Sequence, residues 1–434
     1  MNRRVVIVSM GCSKNLVDSE RLAARLGASG IDVDFDSDDV DGADVVINTC
    51  GFIGDAKEES VNMLLNAIEL KKLGRVRGVF VMGCLSERYR KELTEEMPEL
   101  DAICGKFDWD CLVDILTPAK ATLRPWEREL STAPHHAYVK ISEGCNRFCA
   151  FCAIPLITGR HHSRPIEQIV AEVEDLVARG VKEFNIIAQD LSAYGTDLPD
   201  SGGRSQLAKL IETLSDIAGV EMIRLHYAYP ADFPYDILPV MASRPNVCKY
   251  LDIALQHIDD KVLSNMRRHI TSDETRALLA RIRREVPGIH LRTTLMTGFP
   301  GEDDEAFGRL LDFVREQRFE RMGAFAYCEE EDTYAQIHFD DEIPEHVKQQ
   351  RLDLLMEAQH DITCACAEAK IGTVQRVIID EQSGAVWLGR TEFDSPEVDC
   401  VVTVHSDEPL QIGNIYNVRI TGADEFDLIG TAEL

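Results

Sequence analysis

Over the first quarter of the chain, short apolar runs alternate with stretches of helical periodicity. Arg4-Val-Val-Ile-Val-Ser-Met10, Asp44-Val-Val-Ile-Asn48 and Gly78-Val-Phe-Val-Met82 each read as a buried strand. Between them lie helical patterns near Leu16–Leu26 and Lys57–Lys72, the second marked by Val61, Leu64, Leu65 and Ile68. Strand alternating with helix predicts a parallel sheet. Residues 117–137, with Pro118, Pro125 and Pro134, predict an irregular linker. Six further strand–helix units follow. Their strands are expected at Tyr138–Ile141, Phe184–Ala188, Met222–His226, Tyr250–Ala254, His290–Leu295 and Met322–Ala326, with helices near Ile166–Arg179, Leu207–Ala218, Glu274–Glu285 and Asp304–Glu316. Six units make a partial α/β barrel, in which chemistry gathers at the carboxyl ends of the strands. After a helical segment at Glu345–Lys370 the period changes to two. Thr373–Ile379, Val386–Arg390, Cys400–His405, Tyr416–Ile420 and Leu428–Ala432 predict a small five-stranded, OB-like β-barrel. The fold class is therefore α/β with a terminal β-barrel, divided 1–117, 131–370 and 371–434.

Each amino-terminal strand runs into a cysteine: Cys12, Cys50 and Cys84. Parallel strands end on one edge, so these three thiols are expected to meet there although 72 residues separate the first from the last. Three small buried cysteines, packed separately, are the bland alternative. A second trio, Cys145-Asn-Arg-Phe-Cys149-Ala-Phe-Cys152, spaces its thiols four and three residues apart just after the first barrel strand. Three thiolates hold three irons of a 4Fe-4S cluster and leave the fourth open. A structural zinc using these cysteines and His161 is the competing reading. Cys104, Cys111, Cys248, Cys328, Cys364 and Cys366 are read as packing residues or exposed thiols.

The spacing of the second trio, with Phe151 before its last cysteine, resembles the radical S-adenosylmethionine superfamily. Ser9-Met-Gly-Cys12-Ser-Lys-Asn-Leu-Val-Asp-Ser-Glu20 and Asn48-Thr-Cys50-Gly-Phe resemble the signatures of its methylthiotransferases, and the resemblance spans essentially the whole chain. It implies two 4Fe-4S clusters, one on Cys145, Cys149 and Cys152 and one on Cys12, Cys50 and Cys84, the latter carrying the sulfur to be inserted. It also implies S-adenosylmethionine as methyl donor and radical source, a flavodoxin- or ferredoxin-type electron donor, and a TRAM domain in the terminal barrel. Strand ends make Phe151, Gln189, Asp190 and Gly298 the candidate cofactor contacts. Gln256, His257, His226 and Tyr227 share that rim. Their bland roles are helix caps, turns and satisfied polar groups. Arg160 and Arg164 read equally well as a carboxylate grip or as surface charges.

With 46 basic against 75 acidic residues the chain has a formal charge of −29, which disfavours general nucleic-acid binding. Thirteen cysteines scattered through an enzyme-sized chain point to a reducing cytoplasm. No run of 18 apolar residues occurs, so neither a membrane span nor a signal peptide is expected. Residues 371–434 hold three basic and twelve acidic side chains. An acidic barrel beside the active site suits a basic polypeptide rather than tRNA. This points within the family to the branch that adds methylthio to the β-carbon of an aspartate in a small-subunit ribosomal protein. Gly11-Cys12-Ser-Lys-Asn-Leu-Val-Asp and Arg224-Leu-His226-Tyr-Ala-Tyr-Pro230 resemble that branch too. Its rivals are the tRNA branch, which acts on isopentenyladenosine, and a two-cluster electron-transfer protein without catalysis.

Overall fold

The computed structural model describes residues 3–117 and 122–434, so Pro118 of the expected linker lies outside the described residues. Two units emerge. One runs to Thr132 and takes in Glu143–Asn146 and Cys152–His162, and the other holds the rest.

The first unit is a parallel five-stranded sheet in the order Asp32–Phe35, Arg4–Ser9, Asp44–Thr49, Gly78–Gly83, Ala102–Ile103. Side chains alternate along each strand, so both faces need cover. Val5, Ile7, Val46, Phe80 and Met82 pack on Leu22 and Leu26 of the Ser13–Ala28 helix. Val45, Ile47, Val79 and Val81 pack on Leu64 and Ile68 of the Gly54–Lys72 helix. The three central strands match the expected runs. The two edge strands carry no apolar run long enough to announce them.

The second unit is built on an open, all-parallel, six-stranded sheet in the order Arg321–Ala326, His290–Thr297, Val247–Ile253, Met222–Ala228, Glu183–Ile187, His136–Lys140. All six expected strands are present within a few residues. Helices Ile166–Ala178, Leu207–Ser215, Ser272–Glu285 and Asp304–Gln317 bury their apolar stripes, and Ser272–Glu285 opens with a Thr271–Glu274 capping box. Residues 374–433 close a five-stranded barrel around Val377, Ile379, Trp387, Val402, Val404, Val418 and Leu428.

The barrel's position corrects the expectation that it lies beside the catalytic edge. Glu183, His290 and Arg321 are the first residues of their strands, and all three are held by the barrel. Arg390 donates to both Glu183 carboxylate oxygens, at 2.9 and 2.8 Å, and Arg224 pairs with the same carboxylate. Arg321 pairs with Asp394, and Tyr250 Oη donates to Asp399 at 2.8 Å. Phe393 stacks on His290 with centroids 3.9 Å apart, and Ile378 packs with Met222, Cys248 and Tyr250. The barrel therefore caps the amino ends of the strands, because acidic residues counted as surface charge are paired with arginines at the strand starts. Among the described residues, no helix is long and apolar enough to cross a membrane.

Glu183 and Arg224 are both fully buried. Glu183→Ala should cost about 3–5 kcal/mol, because it strands two guanidinium groups away from water; equilibrium urea unfolding checks this. Acid should weaken the same junction in two stages. Burial pushes His136 down to about 4, against the pull of Glu183, and also holds His290 well below the ordinary histidine range. The folded state therefore takes up fewer protons than the unfolded chain, and stability falls as pH drops from about 6.5 towards 4. Asp394, which burial alone would raise, is drawn down to about 2 by Arg321 and Lys370. Its contribution is full above the ordinary aspartate value and disappears as pH falls through about 2. Urea midpoints measured from pH 7 to pH 3 should decline throughout, with His136→Gln flattening the upper part.

Candidate functional site

In the first unit, Cys12, Cys50 and Cys84 come together from the ends of three adjacent strands. Cys12 follows Gly11 and serves as the residue capping the Ser13–Ala28 helix. Gly11 has φ +89°, and a Cβ there would lie 2.8 Å from Cys50 Cβ and 2.9 Å from its Sγ. A Cβ on Gly51 would lie 2.7 Å from the backbone nitrogen of Leu85. Only glycine lets the strand ends approach so closely.

Asn15 joins the three strand ends. Its Nδ2 donates to Met10 O and Thr49 O, both at 3.1 Å, and its Oδ1 lies 3.5 Å from Cys84 Sγ. Asn48 in turn donates to Asn15 O at 2.8 Å and to Ser19 Oγ at 2.9 Å. Lys106 follows the Ala102–Ile103 strand and is only 3% exposed. Its Nζ donates to Asp18 Oδ2 at 3.0 Å and to Asn15 Oδ1 at 3.4 Å. Burial alone would lower the Lys106 ammonium, but Asp18, Glu143, Cys84 and Cys12 hold it well above the ordinary lysine value.

The thiols differ among themselves. Crowding by protein atoms works to raise Cys12, yet Lys14, Lys106 and the N–H groups of Asn15 and Lys14 leave it below the ordinary thiol value. Burial, aided by Cys12 and Glu59, raises Cys50, and burial with Cys12, Cys50 and Glu143 pushes Cys84 up to about 12. Among the described residues, no three His, Cys, Asp or Glu side chains close round one point as ligands of a single metal ion would. A cluster asks for something else: separate irons at separate corners, each met by its own thiolate. The donor set, three free thiols and no carboxylate or imidazole among them, suits iron and sulfide.

The other trio divides between the units, with Cys145 and Cys152 in the first and Cys149 in the second. In the first unit, Cys145 N donates to Gly159 O at 3.2 Å, and His161 N donates to Asn146 Oδ1 at 3.2 Å. In the second, Cys149 is buried with two side chains on its sulfur. Arg268 Nη1 donates to it at 3.2 Å, and Tyr229 Oη lies 3.7 Å away. Tyr229 is held between guanidinium groups, Arg147 and Arg268 each standing 4.2 Å from its ring centroid. Burial, with Cys149 adding, raises the Tyr229 hydroxyl above its ordinary value, so it remains a neutral donor.

The remaining candidates take these positions. Asp190, 1% exposed, accepts from Arg147 Nε at 2.7 Å and from Ala193 N at 3.3 Å, capping the turn at Leu191–Ala193. Phe151 meets Phe299 edge to face at 6.2 Å. Gln189 follows the Glu183–Ile187 strand beside Asp190. Gly298 has φ +74°, and the space before it is filled by the Lys348 stem, whose Cγ would lie 2.3 Å from an added Cβ. Gly298 N donates to Glu302 Oε1, while Glu302 Oε2 meets His257 Nε2 at 3.1 Å. Tyr227 and Gln256, both at strand ends, adopt positive φ of 64° and 71°. Such strain in non-glycine residues gathers where a site is being shaped. Arg164 pairs with Glu172 at 2.7 Å.

Sequence reasoning missed Lys106, Arg268 and Tyr229. Lys106 and Arg268 lie in loops with no periodicity. Tyr229 stood inside the quoted Arg224–Pro230 stretch without being singled out. One reading is extended: Cys104 and Cys111 do pack in the core of the first unit, and they are also joined as a disulfide with Cα atoms 6.6 Å apart. Cys111 lies in the Asp110–Leu116 helix, which packs its apolar face with Cys104.

Three family descriptions fit successive parts of the chain. They are the Uncharacterized protein family UPF0004 over residues 4–105, the Radical SAM superfamily over 139–314 and the TRAM domain over 371–432. Among solved structures, the chain is similar to the radical S-adenosylmethionine methyltransferase TsrM from Kitasatospora setae. The TM-score is 0.55 at 15% identity, covering 78% of this chain and 74% of that one. It is also similar to the cobalamin-dependent radical enzyme OxsB, with a TM-score of 0.52 at 11% identity over 83% and 58% of the two chains. These likenesses speak for the fold alone. Full-length relatives say more. The ribosomal protein uS12 methylthiotransferase RimO of Porphyromonas gingivalis is 56% identical over 98% of both chains. Those of Parabacteroides distasonis, 54% over 98% of both, and Christiangramia forsetii, 47% over 98% of this chain and 94% of its own, bear the same name. The chain belongs to the RimO-type family of radical methylthiotransferases.

Proposed function

We propose that this protein replaces a hydrogen on the β-carbon of an aspartate in ribosomal protein uS12 with a methylthio group. The observation that carries the reading is the joining by Asn15 of the three strand ends that lead to Cys12, Cys50 and Cys84, in a chain that is 54–56% identical over nearly its whole length to uS12 methylthiotransferases. An unactivated C–H bond has neither an acidic proton nor a leaving group, so acid–base catalysis has no purchase on it. When bound, two 4Fe-4S clusters and S-adenosylmethionine supply the electron, the hydrogen-abstracting radical, the sulfur and the methyl group.

The chain's residues hold and shield these groups. In this reading Cys145, Cys149 and Cys152 ligate three irons and leave one for the cofactor, while Cys12, Cys50 and Cys84 do the same for the sulfur-carrying cluster. The Arg268 guanidinium donates to the Cys149 sulfur and fixes its place in the second unit. Asp190, fixed by Arg147, and Gln189 offer polar groups to the cofactor and Phe151 an apolar face, whereas Gly298 has its open side filled by Lys348 and its N–H taken by Glu302. The division 1–117, 131–370 and 371–434 follows the three tasks of sulfur carriage, radical generation and a TRAM domain. A flavodoxin- or ferredoxin-type donor and a cytoplasmic setting complete the reading. The net charge of −29 supports a basic protein substrate over tRNA.

The test is anaerobic turnover with S-adenosylmethionine, a reductant and a uS12 peptide. The peptide should gain one methylthio group in place of one hydrogen, and cofactor cleavage without a mass change in the peptide would overturn the reading. Two variants should separate the trios. Cys84→Ala should abolish methylthiolation yet keep 5′-deoxyadenosine release, with iron falling from about eight to about four per chain. Cys149→Ala should abolish both reactions. Gly11→Ala, whose new Cβ collides with Cys50, should behave as Cys84→Ala does.

A further inference from the structure

Lys106 is a costly residue to bury, since lysine is seldom found inside a protein without a partner that repays desolvation. Asp18 is that partner, but an ion pair alone does not account for where this one is placed. The ammonium shares Asn15 Oδ1 with the Cys84 thiol, the nitrogen at 3.4 Å and the sulfur at 3.5 Å. Lys106 is thus one amide oxygen away from a candidate cluster ligand, and its charge acts on both Cys12 and Cys84. Asn15 is 1% exposed, Asp18 5% and Cys84 8%, so little water screens the interaction with Cys84, whereas Cys12 is exposed. The other ionic groups facing this pocket from packed elements are Lys14, Glu59 and Glu143.

We propose that Lys106 is a positioning residue that sets the reduction potential of the amino-terminal cluster, acting through Asn15 and opposed by Asp18. The inference rests on the reading that Cys12, Cys50 and Cys84 bind that cluster. Its physics is direct. Taking up one electron adds one negative charge to a cluster already made anionic by three thiolates. A buried ammonium stabilises the more anionic state, and the potential rises. The Asp18 carboxylate faces the same pocket with the opposite sign and lowers it.

The experiment uses the full-length chain with Cys145, Cys149 and Cys152 all changed to Ala, reconstituted anaerobically, so that only the amino-terminal cluster is seen. The midpoint is read by electron paramagnetic resonance during a dithionite titration with viologen mediators. Lys106→Met should move it to more negative potential by at least tenfold in the reduction equilibrium, about 59 mV for one electron. Lys106→Arg should restore most of the loss, and Asp18→Asn should move the midpoint the other way. Shifts of opposite sign are what loosened packing cannot produce. An unchanged midpoint in Lys106→Met with iron retained overturns the proposal, as does a negative shift in Asp18→Asn. If Lys106→Met holds no iron, the sign of the Asp18→Asn shift decides alone. A background chain that binds no cluster at all refutes the ligand assignment instead, and the two failures are told apart by iron and sulfide analysis before any titration.

Discussion

Parallel pairing is the constraint from which the functional geometry follows. Strands Arg4–Ser9, Asp44–Thr49 and Gly78–Gly83 run the same way with matched registers, so each chain leaves the sheet at one edge and turns there into a cysteine. Thiols remote in sequence become neighbours without any loop having to reach for another. The cost is a buried edge crowded with polar atoms, and such groups are tolerated only when paired. Asn15, Ser19, Asp18 and Lys106 meet that demand among themselves, Asn48 meets it through its amide nitrogen while its Oδ1 has no partner among the described residues, and Glu20 meets it through Arg128 at 2.7 Å and Ser131. The Cys12–Glu20 stretch is therefore one device: a thiol at a helix start, followed by the side chains that fix the edge around it.

The second unit uses the same topology with a sharper division of labour, and one strand shows it. Met222–Ala228 begins near Arg224, whose guanidinium pairs with Glu183 and donates to Thr391 O of the terminal barrel at 3.2 Å. Past its other end comes Tyr229, lying between Arg147 and Arg268 against the Cys149 sulfur. One strand of seven residues, with Tyr229 directly after it, carries the chain from the joint that holds the barrel to the wall of the candidate site. The apolar residues between them, Leu225 and Ala228, are buried. The Arg224–Pro230 stretch thus has two separate physical roles, and neither one alone accounts for its composition.

Much of this was legible because period and length agree. Buried parallel strands are unbroken apolar runs, and amphipathic helices declare a stripe, so nine α/β strands and all five of the barrel were found near their observed places. What escaped was short or aperiodic. Asp32–Phe35 pairs in register beside Arg4–Ile7 but reads as a polar turn, since an edge strand needs little apolar surface. Ala102–Ile103 is two residues long, and missing it hid Lys106, which follows from its end. Arg268 sits between Arg267 and His269, both with positive φ, in a loop where no repeat marks one arginine above its neighbours. The cysteines were found because their spacing and their strand-end positions are sequence facts. The side chains that serve them are chosen by three-dimensional neighbours, which no spacing records.

Charge was counted correctly and assigned to the wrong surface. Of the twelve acidic residues in 371–434, Asp380 pairs with Arg390 and His135, Glu392 accepts from Lys249 N, Asp394 pairs with Arg321, and Asp399 accepts from Tyr250 and Arg292. These groups face the amino ends of the strands and bind the barrel to its own chain. A charge counted over one segment speaks of partners only after its pairs with the rest of the chain are subtracted. What remains exposed, Glu381, Asp407, Glu408, Asp424 and Glu425 among them, is a smaller field, and it belongs to a barrel mounted at the strand ends opposite Tyr229 and Cys149. Any pull it exerts on a basic polypeptide acts from that end of the unit, where it favours capture and orientation over contact with the reacting carbon. The case for a ribosomal-protein substrate thus moves from the barrel's charge to the whole-length likeness, and the barrel's acids become first of all part of the fold.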